Sequence, residues 1–300
     1  MFNRFSKAKQ GELLIFSQAA LWGLFPIITV FSYNSLPTLY SLVGSTFFAA
    51  IFFGVMLLIK GNWRDLAKVD AFRDILLSTL IIGIGYYLLT FFALKYTSPG
   101  NVSLVSLAEV FFSYVFFHLW KKEDLAIEHL IGCILMVAGV VIVLIPSAHA
   151  FNLGDALVLI GTVLTPVGNY FMRRARLSTS SEVIMFIRSS VVAVAVGGVA
   201  LAVHGVPSAI AWKTSLPFLI VNGLLLMGFS KILWIEGIHR ISVMKANALS
   251  SIAPLFTLLF VWWFMKTPPS PWQLLAFVPM FFGILLLNKD GHKKPLVTPN

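Results

Sequence analysis

Charge is scarce in this sequence. Asp, Glu, Lys and Arg make up 11% of its 300 residues and hydrophobic residues 58%, whereas an ordinary soluble domain carries about 25% charged residues. That balance excludes a water-soluble fold. Cysteine is nearly absent: Cys133 stands alone in an apolar run, so no internal disulfide can form. Motifs for enzymatic chemistry are missing as well. There is no GxxxxGK[ST] phosphate loop, no HExxH pair and no Cys/His cluster, and the six histidines fall at the ends of apolar runs or between them. No enzyme activity, cofactor or metal is expected. The formal charge of +10 would suit a polyanion if the basic residues gathered on one polar face. They are dispersed between hydrophobic runs instead, which argues against nucleic acid.

What the chain has in abundance is hydrophobic runs of membrane-crossing length. A bilayer core needs about 20 apolar residues per helix. Runs that satisfy this cover residues 12–33, 37–59, 74–94, 99–120, 126–146, 153–172, 183–204, 214–238, 243–265 and 270–288. Arg4, Lys7 and Lys9 precede the first run as they would in a signal peptide, but its length, Glu12 and Pro26 make it a membrane helix. The expectation is an all-α integral membrane protein of ten transmembrane helices. Basic residues set its orientation. With the N-terminus in the cytoplasm, Arg4, Lys7, Lys9, Lys60, Arg64, Lys68, Arg73, Lys121, Lys122, Arg173, Arg174, Arg176, Arg240, Lys245, Lys289, Lys293 and Lys294 all lie inside. Only Lys95, Lys213 and Lys266 lie outside, so both termini are expected to be cytoplasmic. Arg188 and Lys231 fall within spans, near enough to their cytoplasmic ends for the side chains to snorkel to headgroups.

The chain also contains itself twice. Ala93-Leu94-Lys95-Tyr96-Thr97-Ser98 through Ser106-Leu107-Ala108-Glu109-Val110-Phe111 recurs 145 residues later as Ile238-His239-Arg240-Ile241-Ser242 through Ser251-Ile252-Ala253-Pro254-Leu255-Phe256. Gly139 in Met136-Val137-Ala138-Gly139 matches Gly283 in Met280-Phe281-Phe282-Gly283, and Pro26 falls close to the counterpart of Pro166. Looking for such periods comes before other readings. Two halves follow, residues 1–150 and 151–300. Five spans per half is an odd number, so the second half enters the membrane from the opposite side and the repeats are inverted, an arrangement that secondary transporters use with the substrate site near the midplane.

Trp22-Gly23, the stretch Ala93-Leu94-Lys95-Tyr96-Thr97-Ser98-Pro99-Gly100-Asn101-Val102-Ser103-Leu104 and its duplicate resemble the drug/metabolite transporter superfamily, and more narrowly its EamA-type ten-helix exporters, including the amino-acid exporters. The resemblance covers essentially the whole chain. It implies a central cavity formed by the spans beginning near residues 12, 74, 99, 153, 214 and 243. It also implies a bacterial cytoplasmic membrane as the location. One departure is visible: the second copy has Pro254 where the first has Glu109, which leaves the geometry of the fourth span open.

Polar residues within those spans are the candidate cavity lining. Ser103, Ser106, Glu109 and Ser113 follow helical spacing along one side of the fourth span. Glu109 lies deep in its span, where a carboxylate faces protein or water. It reads either as a proton-coupling or cation-binding group or as a hydrogen-bonded structural acid. Asn247, Ser250, Ser251, Pro254 and Thr257 repeat the device in the ninth span, and Thr162, Thr165, Pro166 and Asn169 in the sixth. Small polar residues also serve as packing contacts between membrane helices. Pro26 and Pro166 free backbone groups that a substrate's ammonium or carboxylate can engage, or simply kink their helices. Trp22, Phe25, Tyr86, Tyr87, Tyr170 and Trp234 fall in the same spans and offer rings to an apolar side chain or a cation. Trp262, Trp263 and Trp272 read as interfacial anchors. If Lys231 turns inward rather than snorkelling, it is placed to attract a substrate carboxylate or to pair with Glu12 or Glu236.

The expected function is export of small metabolites, amino acids foremost, by alternating access. Efflux of aromatic or quaternary cationic drugs, with Glu109 as counter-charge, is the alternative, and a non-transporting membrane scaffold a remote one. Expected partners are a small-molecule substrate and the lipid bilayer. Oligomeric state is not legible.

Overall fold

The computed structural model describes residues 6–67, 69–121, 127–145, 152–241 and 243–287. The basic residues Arg4, Lys68, Lys122, Lys289, Lys293 and Lys294 lie outside these. Among the described residues there are helices and turns and no strand. We number the long helices α1 (Lys7–Ser32), α2 (Thr38–Lys60), α3 (Phe72–Tyr96), α4 (Pro99–Ser106 and Ala108–Lys121), α5 (Ile127–Leu144), α6 (Leu153–Ala175), α7 (Ser181–His204), α8 (Ala209–Ile238), α9 (Val243–Ser250 and Ala253–Met265) and α10 (Pro271–Leu287). Nine of them are long and apolar enough to cross a membrane, and α10, at 17 residues, is slightly shorter. Ten spans therefore stand where the hydrophobic runs put them. Capping fixes the starts. Ser98 accepts from the Asn101 amide ahead of α4, with Pro99 in the first turn, and Asn152 accepts from the Gly154 and Asp155 amides ahead of α6. Ser208 accepts from the Ala211 amide, so α8 begins five residues earlier than its apolar run and carries Lys213 in its first turns.

Corresponding helices of the two halves share their irregularities. In α4 the regular helix is interrupted at Leu107, and in α9 at Ser251 and Ile252. Pro254 accounts for the second break, since it lacks the N–H that the carbonyl of Ser250 would receive. The first break forms without a proline, with Glu109 in its place, so the geometry of the fourth span does follow the repeat. A second irregularity is doubled too: α3 is π-helical over Thr79–Tyr86 and α8 over Val221–Phe229. A π segment replaces i→i+4 bonds by i→i+5 bonds and changes the direction in which every later side chain points; such segments are frequent at functional sites.

The packing is pseudo-symmetric. α5 lies on α10 and α2 on α7; α1 packs against α8 and α9, and α6 packs against α3 and α4. One buried cluster, around Phe25, Leu42, Phe91, Leu219 and Leu226, joins α1, α2, α3 and α8. Another, around Leu104, Met136, Val158, Met280 and Ile284, joins α4, α5, α6 and α10. Leu58, Val194, Trp262 and Trp263 are exposed on the outside, where a bilayer accepts them. Polar contacts knit the interior: the Asn222 amide donates to Thr29 Oγ1 at 3.0 Å and to Ser45 Oγ at 3.1 Å, tying α8 to α1 and α2.

The two ends of the bundle are held differently. At the end where α1 begins, Lys60 pairs with Glu182 at 2.5 Å, Arg174 with Asp74 at 3.2 Å, Arg240 with Glu236 at 2.7 Å, and Lys245 with Glu12. At the other end buried Asp155 accepts from Thr97 Oγ1 at 2.5 Å and Asn101 Nδ2 at 3.4 Å, and Asn101 Oδ1 accepts from Gln273 Nε2 at 2.7 Å. Glu12 and Asp155 occupy equivalent positions near the starts of α1 and α6, and Lys245 in α9 lies one residue before the counterpart of Asn101 in α4. Each pair clasps the first helix of one half to the fourth of the other, one pair at each end. The clasps differ in worth. Asp155→Ala is expected to destabilise the protein by about 2 kcal/mol, because the hydrogen bonds to a buried carboxylate are lost and the part-buried Thr97 and Asn101 donors are left unmade. Glu12→Gln at an exposed pair is expected to cost under about 1 kcal/mol. Unfolding midpoints of the two purified variants check the difference.

Candidate functional site

The centre of the bundle brings together residues from α1, α3, α4, α6, α7 and α8. On α1, Trp22 stacks on Phe25 with centroids 4.8 Å apart and planes 6° from parallel. Phe25 is buried and meets the edges of Tyr87 and Phe91 at 6.3 and 5.9 Å. Tyr86 closes the π segment of α3 and Tyr87 follows it, the two rings edge to face at 5.4 Å. Tyr86 lies within reach of Ser106, Thr90 and Glu109.

Lys231 sits in the first turn after the π segment of α8, and its Nζ lies 3.9 Å from the Trp22 ring centroid. A cation held so close over an indole face is attracted by the ring quadrupole. Glu109 faces the same space: it accepts from Asn169 Nδ2 at 3.3 Å and interacts electrostatically with Lys231. Both groups are half-buried. Arg188 on α7 is buried, 7% exposed, with its guanidinium carbon 5.7 Å from the Tyr87 ring centroid and close enough to Lys231 to repel it. The site is thus one carboxylate and two cations within an aromatic wall.

Lys231 and Arg188 turn inward instead of snorkelling. The acids weighed as partners for Lys231 are engaged elsewhere, Glu12 with Lys245 and Glu236 with Arg240. The sequence signal was their presence inside apolar spans, but the helical periodicity used to orient side chains is broken by the π segment just before Lys231. Of the sixteen candidate residues, Trp22, Phe25, Tyr86, Tyr87, Ser106, Glu109 and Asn169 come together around this centre. Pro26 is buried one residue beyond Phe25. The carbonyl freed by Pro166, that of Thr162, already accepts from Thr165 Oγ1 at 2.8 Å. Tyr170 lies under the Arg174 guanidinium at 5.9 Å, towards the end of α6. Trp234 is half-buried one turn beyond Lys231. Ser103 accepts from Thr257 Oγ1 at 2.9 Å, joining the two polar seams of α4 and α9. Ser250 donates to Gln18 Oε1 at 3.3 Å, Ser251 donates to the Ala248 carbonyl at 2.7 Å, Pro254 is buried and Asn247 half-buried. Among the described residues no group of three or more His, Cys, Asp or Glu is placed to hold a metal ion.

Ten apolar helices in two repeats, with paired helix breaks and charges at the centre, define a multi-pass membrane transporter. The comparisons with known proteins are specific: the profile of the EamA-like transporter family matches residues 9–145 and again 152–289, so the chain belongs to that family, within the drug/metabolite transporter superfamily. It is 21% identical over 257 residues to the uncharacterized transporter YoaV of Bacillus subtilis (strain 168), covering 83% of this chain and 86% of that protein. A chain of known crystal structure superposes over 93% of this chain and 96% of its own with a TM-score of 0.66 at 19% identity, a likeness of fold.

Proposed function

We propose that this protein is a secondary transporter that exports small metabolites, amino acids foremost, across a bacterial cytoplasmic membrane, with both termini in the cytoplasm. The observation that carries the reading is the neighbouring of Glu109 and Lys231 at the centre of the two repeats, beside the Trp22, Tyr86 and Tyr87 rings. Opposite charges in reach of an aromatic wall suit a zwitterion with an apolar side chain: its ammonium faces Glu109, its carboxylate faces the cations, and the rings take the rest. Alternating access follows from the inverted halves, residues 1–150 and 151–300, with the Asp155 and Glu12 clasps released in turn. A quaternary drug cation is less well served, because it competes with Lys231 for the same carboxylate.

Efflux from proteoliposomes preloaded with labelled amino acids, with and without an imposed pH gradient, tests this. Saturable efflux of at least one amino acid is expected. Efflux driven by the gradient makes Glu109 the coupling group, and efflux indifferent to it makes the protein a facilitator. No movement of any amino acid under either condition, with drug cations moved instead, replaces this reading by the drug-efflux one.

A further inference from the structure

Charge inside the bundle does not balance. Most acids near the helix ends are committed: Glu12 to Lys245, Asp74 to Arg174, Asp155 to Thr97 and Asn101, Glu182 to Lys60 and Glu236 to Arg240. That leaves Lys231 in the field of Glu109, and Arg188, buried on α7, with no carboxylate among the described residues set against it. An uncompensated cation at membrane depth is costly, and it marks a place where an anion is received.

The geometry around Arg188 says where. Arg188 lines a narrow, water-sized crevice with Thr46, Gly83, Tyr87, Ser189 and Met227, and no carboxylate lines it. Gly83 makes room for the arginine stem, since a Cβ there would lie 3.0 Å from Arg188 Cγ. Tyr87, which bears on Arg188 from one side, is continuous through Phe25 with the Trp22 ring that carries Lys231. A guanidinium is a planar fork matched to the two oxygens of a carboxylate, and it stacks on aromatic faces while doing so.

We infer that the transported molecule carries a carboxylate and that Arg188 is its anchor, with Lys231 adding to the attraction and Glu109 facing the substrate's opposite charge. This rests on the transport reading above and gives it a substrate class and a specificity residue. A molecule without a carboxylate leaves Arg188 uncompensated inside the membrane and is refused.

The test uses the full chain in proteoliposomes and labelled phenylalanine and glutamate, with phenylalaninamide and phenethylamine as counterparts lacking the carboxylate. The wild type is expected to move at least one acid tenfold or more faster than the carboxylate-free compounds. Arg188→Gln is expected to bring that ratio close to one by slowing the acid alone, and Arg188→Lys to restore part of it. A wild type that moves acid and amide equally, or an Arg188→Gln variant that slows both by one factor, overturns the inference. Thermal stabilisation of the purified wild type reads the same preference without a variant: protection by the acid and not the amide supports it, and equal protection overturns it. If only amides, amines or drug cations move, transport stands and the carboxylate anchor falls. If nothing moves and nothing stabilises the protein, both readings fall together.

Discussion

Replacing Lys231 by Met is expected to lower flux at least tenfold, and adding Glu109→Gln to that variant is expected to cost little more. Lys231 is the cation nearest Glu109, and its ammonium rests on the Trp22 ring at 3.9 Å. Without it, the carboxylate keeps the Asn169 amide as hydrogen-bond donor and loses the cation that interacts with it. Removing one member of an interior ion pair is strongly destabilising because the other remains uncompensated, whereas removing both together is often tolerated. Both residues are half-buried, and a tenfold change, about 1.4 kcal/mol, is the magnitude expected for the single variant. The two charges are expected to act together through their mutual field, so the double-mutant cycle is expected to show a coupling energy. Glu109→Gln alone separates the roles open to this acid. Loss of flux makes it part of the substrate or coupling machinery, and retained flux with lowered stability makes it a structural partner of Lys231 and Asn169. Strictly additive effects of the two substitutions would sink the idea of a unit.

Gly139→Leu is expected to be the most damaging substitution away from the site. A Cβ at Gly139 would stand 2.2 Å from Met280 Cγ and 2.9 Å from the Ala276 carbonyl oxygen. One of those neighbours is backbone and cannot swing aside. Gly132 and Gly283 face each other across the same seam, each with its imagined Cβ within 3.0 Å of the other's carbonyl oxygen. The α5–α10 pair therefore rests on backbone contact. Membrane helices associate largely through such close packing, because lipid tails are as apolar as leucine and offer no hydrophobic drive. Overpacking is expected to cost about 3 kcal/mol and to push the two helices apart. Gly198 on α7 is the control, with open space around its Cβ position, and Gly198→Leu is expected to leave stability unchanged or raise it. Monodisperse yield and unfolding midpoint in one detergent check both variants. Equal behaviour of the two would show that the α5–α10 seam is not under the constraint described.

Particular residues show which parts of the structure were legible in the sequence. The paired Gly139 and Gly283 sit in equivalent positions on the α5–α10 seam, as a duplicated motif implies. Ser98-Pro99 opens α4 with a serine cap and a first-turn proline, a local signal that needs no tertiary information. Trp262 and Trp263 near the end of α9 and Trp272 at the start of α10 are exposed, as anchors at a membrane interface would be. The break in α4 was not legible, because its counterpart in α9 has Pro254 and α4 has Glu109. Tyr170 shared its span with the cavity residues, yet it turns to Arg174. A helix presents all its faces in one sequence, and which of them meets a partner is a property of the neighbours.

By itself, then, the sequence determined the number of helices, the two-repeat plan and the family, because a low-dielectric bilayer demands long apolar runs with satisfied backbones and a duplication leaves matching residues in place. Tertiary structure alone decided the site. Lys231 and Arg188 lie near enough to the ends of their helices to reach either outward to headgroups or inward to the bundle. The π segments of α3 and α8 shift the phase of the side chains that follow within those helices. That shift and the Trp22 ring seat Lys231 inward, while Arg188, on the regular helix α7, is seated by Tyr87 and by the room that Gly83 leaves; two residues that could have been surface anchors become the charged interior of a transporter.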